Sequence, residues 1–104
     1  MAQRIHVTEA ESEVLAVLWR DGPTSPARLV EAVKARRNWG DATIKTLLGR
    51  LMRKAAVRSE RDDGRLLYHA IVSRQAYVAG EVETMIDRLF EGDTNKLIAY
   101  LSQA

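Results

Sequence analysis

Residues 41–72, DATIKTLLGRLMRKAAVRSERDDGRLLYHAIV, decide the fold. Ile44, Leu47, Leu48, Leu51 and Met52 recur at the spacing that aligns side chains along one face of an α-helix. This is the strongest amphipathic pattern in the chain, and Asp41 suits the N-cap position before it. The opposite face holds Ala42, Thr43, Thr46, Gly49, Arg50 and Arg53, with Lys45 on the flank. No acid occurs from Ala42 through Arg58. After Ala56 the periodicity changes. Residues 57–60 read as a short strand, 61–65 as a turn built around Asp63-Gly64, and 66–72 as a second strand carrying Tyr68, Ile71 and Val72.

Toward the N-terminus two more helices are expected. Thr8 followed by Glu11 has the spacing of a capping box, and Val14, Leu15, Leu18 and Trp19 follow at helical intervals. Asp21-Gly22-Pro23 ends that helix as a turn. The second helix starts at Thr24 or Ser25, with Pro26 in the first turn, where its missing N–H costs nothing. Leu29, Val30 and Val33 form its buried stripe, and Lys34, Arg36 and Arg37 suit the negative end of its dipole. Asn38-Trp39-Gly40 is a loop in which Trp39 anchors the approach to the third helix.

Toward the C-terminus, Ser73 caps a long helix reaching about Phe90, with Val78, Val82, Met85, Ile86, Leu89 and Phe90 as its stripe. Glu91-Gly92-Asp93 interrupts it, and a last helix from Thr94 to Ser102 carries Leu97, Ile98 and Leu101. Three helices, a hairpin and two further helices give a mostly α chain with a small β-hairpin wing, an α+β winged helix-turn-helix. Residues 1–72 form the winged unit and 73–104 a helical dimerisation region. So small a winged unit has a marginal core, and the 74–90 stripe exceeds what it could cover, so a partner helix from a second copy is the natural cover. Folding back onto its own winged unit is the alternative.

Composition narrows the function. At 104 residues, 46% hydrophobic and 29% charged, the chain is of ordinary globular type. It has no apolar run long enough for a membrane span and no signal-peptide pattern at its start, so a cytoplasmic location is expected. With no cysteine there is neither a disulfide nor a thiolate metal site, and no metal or cofactor is expected. The two histidines, His6 and His69, are far apart, and no nucleophile motif or phosphate-binding glycine loop is present, which argues against an enzyme. Residues 1–72 carry 13 Lys+Arg against 9 Asp+Glu, whereas 73–104 carry 3 against 5. The basic half is where an anionic partner would bind.

A helix entering the DNA major groove must be apolar behind and small, polar and cationic in front. Residues 41–54 meet that requirement, with Lys45, Arg50, Arg53 and Lys54 against the single acid Asp41. Gly49 lowers helix propensity by about 1 kcal/mol relative to alanine, which close approach of something bulky would justify. In the wing, Arg61 and Arg65 flank the tip and could reach phosphates, although the hairpin is balanced in charge. A solvated basic face is the alternative explanation of the same residues.

Three stretches bear a further likeness. Residues 8–19 (TEAESEVLAVLW), 39–54 (WGDATIKTLLGRLMRK) and 68–90 (YHAIVSRQAYVAGEVETMIDRLF) resemble the opening helix, recognition helix, and last wing strand with first dimerisation helix of the penicillinase-repressor (BlaI/MecI/CopY) family. The resemblance spans about residues 7–101. It implies a bacterial, homodimeric transcriptional repressor on a palindromic operator with TACA/TGTA-like half-sites. Thr43, Lys45, Thr46 and Arg50 would then face double-stranded DNA, with Arg53, Lys54, Arg61 and Arg65 on phosphates. The C-terminal helices would interlock with a second subunit.

The chain departs from the family pattern at several places. Ala55 stands where glycine is usual, so the recognition helix is expected to end differently. Leu67 replaces a polar strand residue and leaves the wing register open. The chain ends at Ala104, short of the further helix many relatives carry. Tyr100-Leu101 occupies the place of an Asn-Phe cleavage bond, and the absence of cysteine excludes a copper-sensing cluster. A winged-helix protein-interaction adaptor that never touches DNA is the alternative function. It would show an exposed apolar patch on residues 42–54.

Overall fold

The computed structural model describes residues 5–103. The element order is α1 (Glu9–Asp21), α2 (Pro26–Arg36), α3 (Asp41–Arg53), β1 (Val57–Asp62), β2 (Arg65–Ala70), α4 (Arg74–Leu89) and α5 (Thr94–Ser102). The chain divides into two compact units, one ending at Arg74 and the other beginning at Gln75. Among the described residues no helix is long and apolar enough to cross a membrane.

In the first unit α1 starts with the capping box expected from Thr8 and Glu11. The Glu11 N–H donates to Thr8 Oγ1 at 3.1 Å, and the Thr8 N–H donates to Glu11 Oε1 at 3.0 Å. Two of the helix's unpaired N-terminal donors are thereby satisfied. Val14, Leu15, Val17 and Leu18 meet Leu29 and Val33 of α2 and Ile44, Leu47, Leu48 and Leu51 of α3 in a three-helix core that Ala56 and Val57 close from below. The Trp19 indole N–H donates to the Val72 carbonyl at 2.8 Å, which ties α1 to the chain leaving the wing. Met52, expected on the buried face, is 39% exposed instead. It lies at the edge of the apolar arc, beyond the reach of α1.

Helix α3 begins one residue earlier than expected. Gly40 is the N-cap, and Asp41 is the first helical residue, its carboxylate paired with Lys34 of α2. The helix ends in the arrangement a glycine would normally close. Ala55 adopts φ +60°, with its N–H on the Met52 carbonyl at 3.0 Å and the Ala56 N–H on the Leu51 carbonyl at 2.8 Å. These two bonds define a Schellman cap. The expectation that alanine would end the helix differently is therefore corrected. The cap forms, and the left-handed alanine carries a cost of about 1–2 kcal/mol.

The wing is tighter than the sequence suggests. Its turn is the two residues Asp63 and Gly64, at φ +53° and +79°, the pair of left-handed conformations that a type I′ turn requires. Asp62 pairs with Arg65, so the five-residue turn 61–65 is corrected to two, and β2 stops at Ala70. The register places Glu60 opposite Leu67, Ser59 opposite Tyr68 and Arg58 opposite His69. A short third rung joins the sheet from the α1–α2 connection. Thr24 and Tyr68 exchange both backbone hydrogen bonds, at 3.1 and 2.8 Å.

Helix α4 starts at Arg74, the last residue of the first unit, and ends at Leu89, one residue short of Phe90. Glu91 and Gly92 then take positive φ, and Asp93 caps α5 by accepting the Asn95 N–H at 2.9 Å. The Phe90 and Tyr100 rings lie 6.0 Å apart and tilted, so the two helices meet at this corner. Ile86 is buried, whereas Met85, Phe90 and Leu97 are half-buried. Val78, Val82, Leu89, Ile98 and Leu101 are exposed, Val82 at 40% and Leu101 at 60%.

Candidate nucleic-acid interface

With Ile44, Leu47 and Leu51 turned into the core, the other side of α3 is held outward. Thr43, Thr46 and Arg50 are exposed and line one shallow depression together with Ala42 and Leu47. Arg53 is exposed one turn beyond Gly49. Lys45 is exposed on the opposite flank, above a groove that Pro26, Ala27 and Val30 of α2, Met52 of α3 and Tyr68 of β2 line.

Orientation of α3 depends on its approach. The Trp39 N–H donates to the Arg37 carbonyl at 2.8 Å, and the Arg37 guanidinium lies 5.7 Å from the Trp39 ring centroid, within cation–π range. Arg36 and Arg37 both reach the Glu13 carboxylate, at 3.2 and 3.7 Å, which fastens the end of α2 to α1.

The cations of the winged unit sort into two groups. Arg20 pairs with Asp21, Lys34 with Asp41, Arg36 and Arg37 with Glu13, Lys54 with Glu11, and Arg58 with Glu60. The Lys34 partner holds the Asp41 carboxyl below the usual aspartate range, and Lys45 adds to that from further off. The sole acid of α3 is thus already neutralised from outside the helix. Among the described residues 5–72, Arg28, Lys45, Arg50, Arg53, Arg61 and Arg65 make no ion pair, and three of these six, Lys45, Arg50 and Arg53, stand on α3.

The expected site residues are therefore not equivalent. The structure brings Thr43, Thr46, Arg50 and Arg53 onto one side of α3, with Lys45 flanking. Arg61 and Arg65 are exposed on the wing, Arg61 donating to the Gly64 carbonyl at 3.2 Å across the turn. Arg65 lines a separate depression with Thr24, Ser25 and Arg28, so Arg28, which sequence reasoning passed over, joins the wing cations. Lys54 is the exception. Its ammonium donates to Glu11 Oε1 at 2.6 Å and to the His6 carbonyl at 3.0 Å, and Glu11 is only 1% exposed. Burial pushes the Glu11 carboxyl up, but the Lys54 hydrogen bond, the Thr8 N–H and the lysine charge outweigh it, and the net direction is downward. Among the described residues no cluster of His, Asp and Glu could hold a metal ion.

Three helices, a two-stranded wing and a cationic outer face on the third helix define a winged helix-turn-helix protein. The penicillinase repressor family profile matches residues 7–104, and the chain belongs to that family, whose members are DNA-binding transcriptional repressors and not enzymes. An uncharacterised 16.5 kDa protein of Latilactobacillus sakei is 30% identical over 80% of this chain and 57% of its own length. The methicillin resistance regulatory protein MecI of Mammaliicoccus sciuri is 25% identical over 88% of this chain and 75% of its own. In fold the chain resembles Bacillus licheniformis BlaI, solved as a monomer with the blaP half-operator. The TM-score is 0.65 at 23% identity, over 74% of this chain and 94% of that one.

Proposed function

We propose that the protein is a sequence-specific repressor that holds a palindromic operator as a homodimer and blocks transcription from the promoter beneath it. One observation carries the reading. On α3 the cations without ion pairs, Lys45, Arg50 and Arg53, are all exposed, Arg50 and Arg53 beside Thr43 and Thr46, with the acid of the same helix neutralised by Lys34. In the major groove Arg50 and Lys45 donate to guanine edges or phosphates, and Thr43 and Thr46 supply hydroxyls and methyls to base edges. Arg53, Arg61 and Arg65 supply phosphate contacts that set register. Membership of the family, and the likeness in fold to a BlaI solved on a half-operator, support this assignment. The exposed stripe of α4 and α5 supports the dimer, because a second copy offers the same apolar face as its cover, and the two-fold symmetry of such a pair matches that of a palindrome. A promoter repressor works at the bacterial chromosome, hence in the cytoplasm.

The adaptor reading draws on the groove beneath Lys45, where Met52 and Tyr68 offer apolar surface next to α3. Gel-shift titration against a TACA/TGTA palindrome and a scrambled duplex, at 50 and 200 mM salt, separates the two. A repressor prefers the palindrome at both salts. With six to ten phosphates neutralised, its affinity falls by about 10³–10⁵-fold across that range. Absence of binding to either duplex, and to DNA selected from random pools, would leave the adaptor.

A further inference from the structure

The contact between Lys54 and Glu11 differs from the other ion pairs of the winged unit. Those formed by Arg20, Lys34 and Arg58 join side chains that water reaches on both sides. Lys54 instead meets a carboxylate that is almost wholly buried. The same Glu11 oxygen accepts the Thr8 N–H of the capping box, and Lys54 also donates to the His6 carbonyl. Two of its three ammonium donors are therefore spent on the segment that opens α1. Lys54 is itself the C-cap residue of α3, one position before the left-handed Ala55.

Apolar contacts hold the rest of α3 against α1. They keep the buried stripe of Ile44, Leu47 and Leu51 inward, but being non-directional they leave the fine rotation and slide of the helix to contacts with defined geometry. A short, charge-assisted hydrogen bond at one end fixes both rotation and slide. Were Lys54 to swing out to a phosphate, it would strip a partner from a buried carboxylate, which costs more than an exposed ion pair returns.

We propose that Lys54 and Glu11 form a positioning pair that fixes the rotation of α3 against α1, so aiming Thr43, Thr46 and Arg50, and that Lys54 is not a phosphate contact. The proposal rests on the DNA-binding reading above. It gives the two cations at the end of α3 different roles. Arg53 neutralises the duplex, and Lys54 orients the helix that reads it.

The test compares Lys54→Gln, Glu11→Gln, their double variant and Arg53→Gln in the full chain. Affinity for the palindrome and for a scrambled duplex is titrated over a series of salt concentrations, at a temperature where circular dichroism shows each variant folded. Arg53→Gln should lower the salt slope by about 1 for each phosphate it no longer neutralises. Lys54→Gln should leave the slope unchanged and lower the preference for the palindrome by about 2- to 30-fold, the range expected when an element outside the DNA-touching set is loosened. Glu11→Gln, which removes no cation, should lower the preference likewise, and the double variant should be no worse than either single. A lower salt slope in Lys54→Gln would overturn the proposal, because the lysine would then be a phosphate contact. Unchanged preference in folded Lys54→Gln and Glu11→Gln, with only the melting temperature reduced, would overturn it as well, leaving a structural pin. A wild-type chain without any preference would overturn the DNA reading and this proposal together.

Discussion

Gly49 stands one helical turn before Arg53, and a β-carbon added to it would meet only the Arg53 guanidinium, 3.5 Å away. That is ordinary van der Waals distance, so nothing inside the protein requires a glycine there. Gly49→Ala should accordingly raise the unfolding free energy by about 1 kcal/mol, the difference in helix propensity. If the duplex lies close against this side of α3, the same substitution should weaken binding to the palindrome. Urea unfolding and gel shift on one preparation check both effects. A variant more stable and equally tight would show that DNA does not approach the backbone at this point.

Ala55 offers the opposite substitution. Its φ of +60° is sterically costly for alanine and free for glycine. Relief of about 1–2 kcal/mol, less the roughly 0.4–1 kcal/mol by which glycine favours the unfolded chain, leaves a gain of about 1 kcal/mol for Ala55→Gly. Ala55→Gly removes only a methyl and no charge or hydrogen-bonding group, so affinity should stay close to the wild-type value. A destabilised Ala55→Gly would contradict the Schellman geometry at the end of α3.

These two positions show where sequence reasoning succeeds and where it stops. Local signals were legible. Thr8 and Glu11 gave the capping box, Asp63-Gly64 the hairpin, and the α5 limits, Thr94 and Ser102, came from the break before them and the apolar spacing within. What escaped is non-local. Lys54 and Glu11 are 43 positions apart, so a lysine on a basic helix was indistinguishable from its neighbours until a buried carboxylate appeared beside it. The Thr24–Tyr68 rung is likewise a backbone pairing with no local pattern. Met52 was misplaced because five apolar residues span a wider arc than α1 can cover. The outward face of α3 was readable because helical periodicity alone determines it.

Acid should weaken the fold through Glu11. Its carboxyl is held below the ordinary glutamate value of 4.5, so the folded state favours the ionised form. The stabilisation is fully present above about pH 4.5 and is lost as pH falls through the lowered folded value. The difference in unfolding free energy between wild type and Glu11→Gln should therefore be constant near neutrality and shrink on acidification below that point. Denaturant titrations from pH 7 to pH 3 measure it. A gap that widens toward low pH would mean that burial outweighs the Lys54 partner.

On α3, Arg50 is exposed without an acidic partner, so its replacement should leave stability within about 0.5 kcal/mol. If it reads a base, Arg50→Ala should cost about 1–3 kcal/mol in binding to the palindrome and relax the preference at one position in each half-site. A phosphate contact would instead weaken all sequences alike and reduce the salt slope. Titrating half-site variants against Arg50→Ala distinguishes these outcomes, and no change in either quantity would remove Arg50 from the interface.

The dimer is tested on α4. Val78 and Val82 are one helical turn apart and both exposed, at 41% and 40%. Side chains so spaced share a face, and an isologous contact would bury each of them twice, once in each protomer. Val82→Glu puts a charge on that face without disturbing the core of the winged unit, which Leu15, Leu29, Ile44 and Leu51 supply. Sedimentation equilibrium should find wild type dimeric and Val82→Glu monomeric at the same concentration, with the helical circular dichroism signal retained. The monomer should still bind a single half-site, but the tight binding that comes from joining two half-site contacts in one molecule should be lost. A Val82→Glu chain that remains dimeric would move the interface to the exposed Ile98 and Leu101 of α5, where Leu101→Glu then becomes the deciding variant.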